Sequence, residues 1–534
     1  MSAQNRTPSA RWCPLVAEGR GHGKSVDVST KGAYVDDVTY VRHFVAEQSP
    51  TRLRLAAALN GITPPSGDSF DYLELGCAHV DTLTALAAAH PKARFVGIDL
   101  LPAHVASAKE LAAEGGVKNV SFHERDFAAI GHEDFGEFDF IAVHGVLSWI
   151  GPDKRAALIE LAARKLRPGG LLYVSYNTLP GWAAVEPLRQ LVLAPAAGAR
   201  SAADSVDAAA RGVAFADALA QGGAEYFTRN PSARDVLDTM KRAEMRYVVH
   251  EYLHDHWVPM YFSRVAFEMA ARELYFVGVQ PLALNFPDTA IPPSLEEMFA
   301  AVTDRLRFES LKDFALNEFF RRDLYRRGVA TRSAAATDAY LDETPLARMT
   351  STLPKERTVK LRFKTLDFSG DVFGTVLDAL GKGACTVKDL LARPEVRRLG
   401  VAAVRAAIVR LLVAEAIVPF TTRTRAVTPC DARYHVPLAF NRALLARIGG
   451  EVPIALASIV SGTAYPTPPL EAIAIRALTE STPETRRAWI ADLVAKSVIP
   501  RPQESAIVDA VDSLVTGRLA KLLELGILAE SMPQ

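Results

Sequence analysis

Leu73-Glu74-Leu75-Gly76-Cys77-Ala78, followed one helix-length later by Phe95-Val96-Gly97-Ile98-Asp99, decides the fold of this chain. An apolar strand runs into a small-residue turn. A second apolar strand then ends in a carboxylate about 20 residues further on, where it can accept hydrogen bonds from ribose hydroxyls. This is the layout of a nucleoside-binding βαβ unit, and a nucleotide- or nucleoside-dependent enzyme is expected.

The turn discriminates between cofactors. A dinucleotide fold needs G-x-G-x-x-G so that backbone can close on a pyrophosphate. Here only Gly76 is glycine, Ala78, Val80 and Asp81 occupy the rest, and an acid near a helix start would repel a phosphate. S-adenosylmethionine (AdoMet) has no phosphate and carries a cationic sulfonium, which suits an acidic, glycine-poor loop. Downstream, Val120-Ser121-Phe122 precedes Asp126-Phe127, and Phe138 to Val143 reads as a strand ending at His144-Gly145. A helix from Pro152 to Leu166 closes at Arg167-Pro168-Gly169-Gly170 and leads into Leu171-Leu172-Tyr173-Val174-Ser175. This order resembles the class I AdoMet-dependent methyltransferases.

His144-Gly145-Val146-Leu147-Ser148-Trp149 and Ser175-Tyr176-Asn177-Thr178-Leu179-Pro180-Gly181-Trp182 resemble stretches of one group, the bacterial methyltransferases with a methyltransferase regulatory domain. That group includes the rickettsial-type protein-lysine methyltransferases. Asp36 to Tyr40, His250 to Leu253, Pro259 to Phe262 and Phe314 to Tyr325 continue the resemblance, which covers most of residues 30 to 330 and, more weakly, the C-terminal third. It implies a Rossmann-like α/β domain binding AdoMet, an N-terminal segment containing Tyr40 that folds over the cofactor as a lid, and Glu74 near the cofactor's charged end. Gly76, Cys77, Ala78, Leu100 and Gly145 complete the expected cofactor contacts, with His144 beside them. The chain departs from its relatives at His79, Val80, Asp81 and Thr82, where small residues and an amide are usual. A branched Val80 restricts backbone approach to the methionine moiety.

Asp99 should hold the ribose, because a carboxylate ending a buried strand is costly without donors. Asp126 with Phe127 should hold the adenine amino group and cover its face; the competing reading makes Asp126 a helix N-cap. Tyr176 and Asn177 follow a strand, at the carboxyl edge where open α/β sheets bind ligands. Asn177 can accept a hydrogen bond from an amine, and Tyr176 and Trp182 can face a cation by cation–π attraction; the alternative is a tight turn with Trp182 as filler. His144, Tyr176 and Asn177 are the catalytic candidates, and Trp149, Trp182, Tyr252 and Trp257 the expected lining of a substrate channel. His250, Glu251 and His254 share a helical face in part, but methyl transfer needs no metal and none is expected.

A chain of 534 residues exceeds one core. The expected division is a mobile tail (1–30), an AdoMet-binding domain with its lid (31–193), a mainly helical regulatory domain (194–330), a linker (331–356) and winged-helix-like C-terminal modules (357–534). Sixty-one basic and 61 acidic residues cancel, which disfavours duplex nucleic acid as a partner. No apolar run approaches the roughly 18 residues of a membrane span, and the N-terminus has no signal-peptide core, so a cytoplasmic chain without membrane insertion is expected. The four cysteines, Cys13, Cys77, Cys385 and Cys430, are scattered and suggest neither a disulfide framework nor zinc. The expected function is AdoMet-dependent N-methylation of protein lysines. Alternatives are a small-molecule or peptide natural-product methyltransferase acting on an amine, and a degenerate methyltransferase serving as a scaffold. Homodimer formation is left open.

Overall fold

The computed structural model describes residues 44–78, 81–131, 134–194, 202–252, 256–348, 357–429, 433–447, 453–495 and 504–531. The expected tail and lid, Tyr40 included, and the unusual His79-Val80 pair lie outside the described residues.

Five parallel strands form the core of one sheet: β1 (Asp71–Leu75), β2 (Arg94–Asp99), β3 (Val120–Glu124), β4 (Phe138–Val143) and β5 (Leu166–Asn177). Helices α1 (Pro50–Leu59), α2 (Asp81–Ala89), α3 (Pro102–Glu114) and α4 (Pro152–Lys165) lie between them or lead in. Alternation along each strand sorts the core into two faces. Tyr72, Phe95, Phe140 and Tyr173 pack with Leu53 of α1, Leu83 of α2 and Val105 of α3. Leu73, Val96, Ile141 and Leu172 pack with Leu158 and Ile159 of α4 on the other face.

The sheet does not stop at the expected boundary near residue 193. Strands β6 (Leu274–Val279) and β7 (Phe320–Arg327) complete a seven-stranded sheet in the order β3-β2-β1-β4-β5-β7-β6, with β7 antiparallel to both β5 and β6. Residues 194–330 are therefore not a separate helical body. Their helices, α6 (Ala202–Gln221), α7 (Glu225–Arg229), α8 (Pro231–Arg242), α9 (Met245–Tyr252), α10 (Phe262–Ala270) and Arg305–Leu316, are inserted around two strands of the catalytic sheet, after α5 (Glu186–Leu193). Burial of charges hides β7: Arg321 and Asp323, two charged residues on one face of the strand, are both inside.

The described part of the expected linker, 331–348, is structured, and 349–356 lie outside the described residues. Ser333 caps the helix Ala334–Glu343 by accepting from the Ala336 N–H (3.2 Å), and Leu346–Arg348 pairs antiparallel with Ile417–Pro419. Beyond it, the helix, helix, strand order expected over Thr386 to Phe420 is present, with a reciprocal Thr386/Asp389 capping box on its first helix. A second unit contains the hairpin Ile454–Ser458/Thr463–Thr467 with the helices Ala439–Ala446, Pro469–Glu480 and Arg486–Ala495 and the helical run Glu504–Glu524. This C-terminal third packs on the α1–α3 face. His90 Nε2 donates to Gly462 O (2.8 Å), Arg52 pairs with Glu415 (3.2 Å), and burial pushes the His90 imidazole down to about 4. Among the described residues, no helix is long and apolar enough to cross a membrane.

Candidate active site

Strand β1 ends against β2 by backbone bonds. The N–H groups of Gly76 and Cys77 both donate to Ile98 O, at 2.8 and 3.2 Å. Gly76 has φ +78°, and a Cβ there would come within 2.5 Å of the Val146 side chain, so glycine is required by both backbone and space. Asp99, at the end of β2, accepts from Ala78 N–H (2.7 Å) and Leu101 N–H (2.9 Å) and lies 3.2 Å from His104 Nδ1. The protein thus supplies three of the donors that a buried carboxylate needs, and Asp99 holds the turn that carries Ala78. An ionised carboxylate has about four acceptor positions, so room for a ribose hydroxyl remains.

Glu74 is the unsatisfied acid. It is buried, its Oε2 has no hydrogen-bond partner, and burial, with a smaller push from Asp99, raises its carboxyl to about 8; contact with Gln48 works in the opposite direction. A buried acceptor without a donor is costly; the ammonium of AdoMet is the kind of donor that would satisfy it, and the sulfonium would favour its carboxylate by charge alone. Two acids beside a close-fitting glycine turn suit AdoMet better than a pyrophosphate. Leu100 is largely exposed next to Asp99. Asp126 caps the turn Phe127–Ala129 through Ala128 N–H (3.0 Å) and meets Lys154 Nζ (3.3 Å), as the competing N-cap reading has it. Phe127 is partly buried against the α4 face of the core.

At the ends of β4 and β5, the structure gathers the expected acceptor-side residues. His144 Nδ1 lies 3.0 Å from both Tyr173 Oη and Ser175 Oγ, and its ring stacks on Tyr173 at 5.9 Å. Gly145 N–H donates to Ser175 Oγ (2.8 Å). Asn177 N–H donates to Ser148 Oγ (2.8 Å), and its carbonyl accepts from Met260 N–H (2.9 Å). The Asn177 side-chain nitrogen is buried without a partner. Trp182 lies edge-on to Trp257 (4.9 Å) and Phe319 (5.7 Å) and tilted to Tyr252 (6.0 Å). Trp149 belongs to the same cluster. The four aromatics expected to line a channel do come together, where α5, α6, α8 and α9 cover the end of β5.

Tyr176 goes elsewhere. Neighbours on a strand face opposite ways, so a role for Asn177 at the edge turns Tyr176 away from it. Tyr176 is fully buried, and its hydroxyl donates to Asp323 (2.6 Å) inside an ion cluster of Arg321, Asp323, Asp313, Glu309 and Lys312. Cation–π contact between Tyr176 and a substrate amine is ruled out by that position.

Comparison with known proteins identifies the unit. A model described as "Methyltransferase domain" matches residues 73–170, and one described as "Predicted methyltransferase regulatory domain" matches residues 244–327. An uncharacterised protein of Synechocystis is 32% identical over 361 residues, 67% of this chain and 70% of the relative; one from Rickettsia prowazekii is 30% identical over 291 residues, 54% and 51%. The chain belongs to the AdoMet-dependent methyltransferases with a regulatory domain. The structure of PKMT2 from Rickettsia typhi in complex with AdoHcy superposes with a TM-score of 0.69 over 92% of this chain and 99% of that one, at 19% identity, a likeness of fold.

For this methyltransferase, the regulatory match ends at Arg327, the last residue of β7. The segment with that description therefore contributes two strands to the catalytic sheet. Sequence reasoning did not single out Gln48, Ser148, Ser175 or Met260, which hold Glu74, Asn177 and the His144 turn. A buried Gln next to Ser49-Pro50, the start of α1, carries no local signal. The two serines sit inside the quoted hallmark stretches and were legible there as hydrogen-bonding turn residues.

Proposed function

We propose that this AdoMet-dependent methyltransferase methylates lysine side chains of a protein substrate. The observation that carries the reading is the clustering of Trp149, Trp182, Tyr252 and Trp257 beside the end of β5, where the Asn177 backbone bonds to Ser148, the neighbour of Trp149. Extension of the PKMT2 likeness over nearly the whole chain supports it.

AdoMet supplies an electrophilic methyl group when bound, with Glu74, Gly76, Ala78 and Asp99 as its holders. The chain's part is alignment, which accounts for most of the acceleration in an in-line displacement. A lysine ammonium, with a reference pKa of about 10.4, must lose a proton to water before its lone pair attacks the methyl group and AdoHcy leaves. Desolvation among four aromatic rings disfavours the charged form, and the Asn177 side-chain oxygen, not its unpartnered nitrogen, is the atom that accepts from the neutral amine. His144, bonded to Tyr173 and Ser175, fixes the turn at the end of β4. The C-terminal third, winged-helix-like in element order over 386–420, serves as a polypeptide-binding module in this reading. A small-molecule amine is the second reading, favoured by the depth of the four rings, each under a tenth exposed.

The test is methylation of lysine-containing proteins with methyl-labelled AdoMet, followed by peptide mass spectrometry. Label on lysine Nζ supports the proposal. Label confined to small molecules selects the second reading.

A further inference from the structure

The ion cluster behind β5 has no part in holding cofactor or acceptor, yet it touches the strand that carries Asn177. Arg321 is fully engaged: Nε with Asp323 (2.8 Å), one terminal nitrogen with Asp313 (2.6 Å) and the other with Glu309 (2.8 Å). Its guanidinium also lies 4.2 Å over the Phe262 ring. Lys312 donates to Glu309 (2.7 Å) and to Leu284 O (2.8 Å), and Arg305 pairs with Glu309 (3.0 Å). Asp323 receives hydroxyls from Tyr176 (2.6 Å) and Tyr325 (3.2 Å). Three acids and two bases here are at most 3% exposed, and only Arg305 reaches solvent.

Burying such a set costs several kcal/mol per ion before pairing, and well-packed apolar residues often serve stability equally well. What an ionic cluster adds is directional fixing. The fixed object is the tip of β5. In the ladder, Tyr176 pairs with Arg321 and Asn177 with Phe320, so the only β5 side chain in the cluster sits one residue before Asn177. Asn177 has its backbone tied to Ser148 and Met260, but its amide nitrogen has no partner of its own. Its direction is therefore set by the strand, and the strand's pitch by Tyr176.

We propose that Asp323 is a positioning residue: by holding the Tyr176 hydroxyl, it lets the segment matched as regulatory aim the Asn177 side chain at the acceptor. This rests on Asn177 being the group that meets the acceptor. The coupling runs from the helix Arg305–Leu316 through Glu309 and Asp313 to Arg321, then Asp323 and Tyr176.

The test uses the full chain saturated with AdoHcy and no acceptor, so it stands apart from the identity of the substrate. Label asparagine with ¹⁵N and follow the side-chain amide of Asn177, assigned by its loss in N177D. Asn119, at the opposite edge of the sheet and bonded to Ala93, and Asn441, bonded to Ala457, serve as references. Tyr176→Phe removes one oxygen and should shift or split the Asn177 pair while both references stay in place and AdoHcy affinity changes less than twofold. Asp323→Asn keeps an acceptor for Tyr176 and should produce a smaller shift than Tyr176→Phe. An unmoved Asn177 pair in Tyr176→Phe overturns the proposal. Movement of all three asparagines together also overturns it, since the cluster would then serve only general stability.

Discussion

Glu74 is the residue whose charge state the fold leaves unsettled. Without cofactor, burial keeps its proton up to about 8, whereas an unfolded glutamate releases it near 4.3. Over that window the native state binds the extra proton, so stability of the apo chain falls as pH rises toward 8. A cation placed at Glu74 favours the carboxylate, so AdoMet binding should release a proton below that pH and tighten as pH rises to it. Calorimetry in buffers of different ionisation enthalpy measures the release, and Glu74→Gln should abolish it. Asn177→Ala should lower turnover by at least tenfold with AdoMet affinity nearly unchanged, because only transition-state alignment is lost. Parallel fall of affinity and melting temperature would instead make Ser175 to Trp182 a structural turn.

Elements built from local pattern were legible in sequence, and those built from distant partners were not. Leu73 to Leu75 and Phe95 to Asp99 show apolar strands directly, and the glycine between them shows the turn. The two added strands do not show. Leu274 to Val279 is a short apolar run that reads equally as buried helix, and Phe320 to Arg327 hides its alternation because Arg321 and Asp323 are neutralised inside. Placement of Tyr176 failed for the same reason, since its partner lies 147 positions away. Trp149, Trp182, Tyr252 and Trp257 were found together because large aromatics in an apolar segment have few places to go. The element that joins them is the turn at Gly181, whose missing Cβ would lie 2.4 Å from Glu318 O. Gly181→Ala must push β5's exit away from β7's start, and a loss of about 1–3 kcal/mol is expected, read from denaturant unfolding.

At the scale of the molecule, the C-terminal third is part of the catalytic core's packing. One continuous apolar cluster runs from Leu53, Phe70 and Phe95 to Leu377, Leu411 and Ile417. A chain ending at residue 330 would expose that face of α1, and it should be recovered as aggregate in a solubility assay where the full chain stays in solution. Composition could not foretell this docking, because the contacts pair apolar residues over 300 positions apart with no local signature.

The claim on which the account depends is that AdoMet sits where β1 and β2 end. Titration calorimetry of AdoMet and AdoHcy into the full chain and into Asp99→Ala tests it most directly. Asp99 holds Ala78 and Leu101 and has capacity left for a ribose hydroxyl, so its loss should weaken both ligands at least tenfold, about 1.4 kcal/mol or more, while NAD gives no binding heat to either protein. Equal affinity of wild type and Asp99→Ala for AdoHcy would contradict the account.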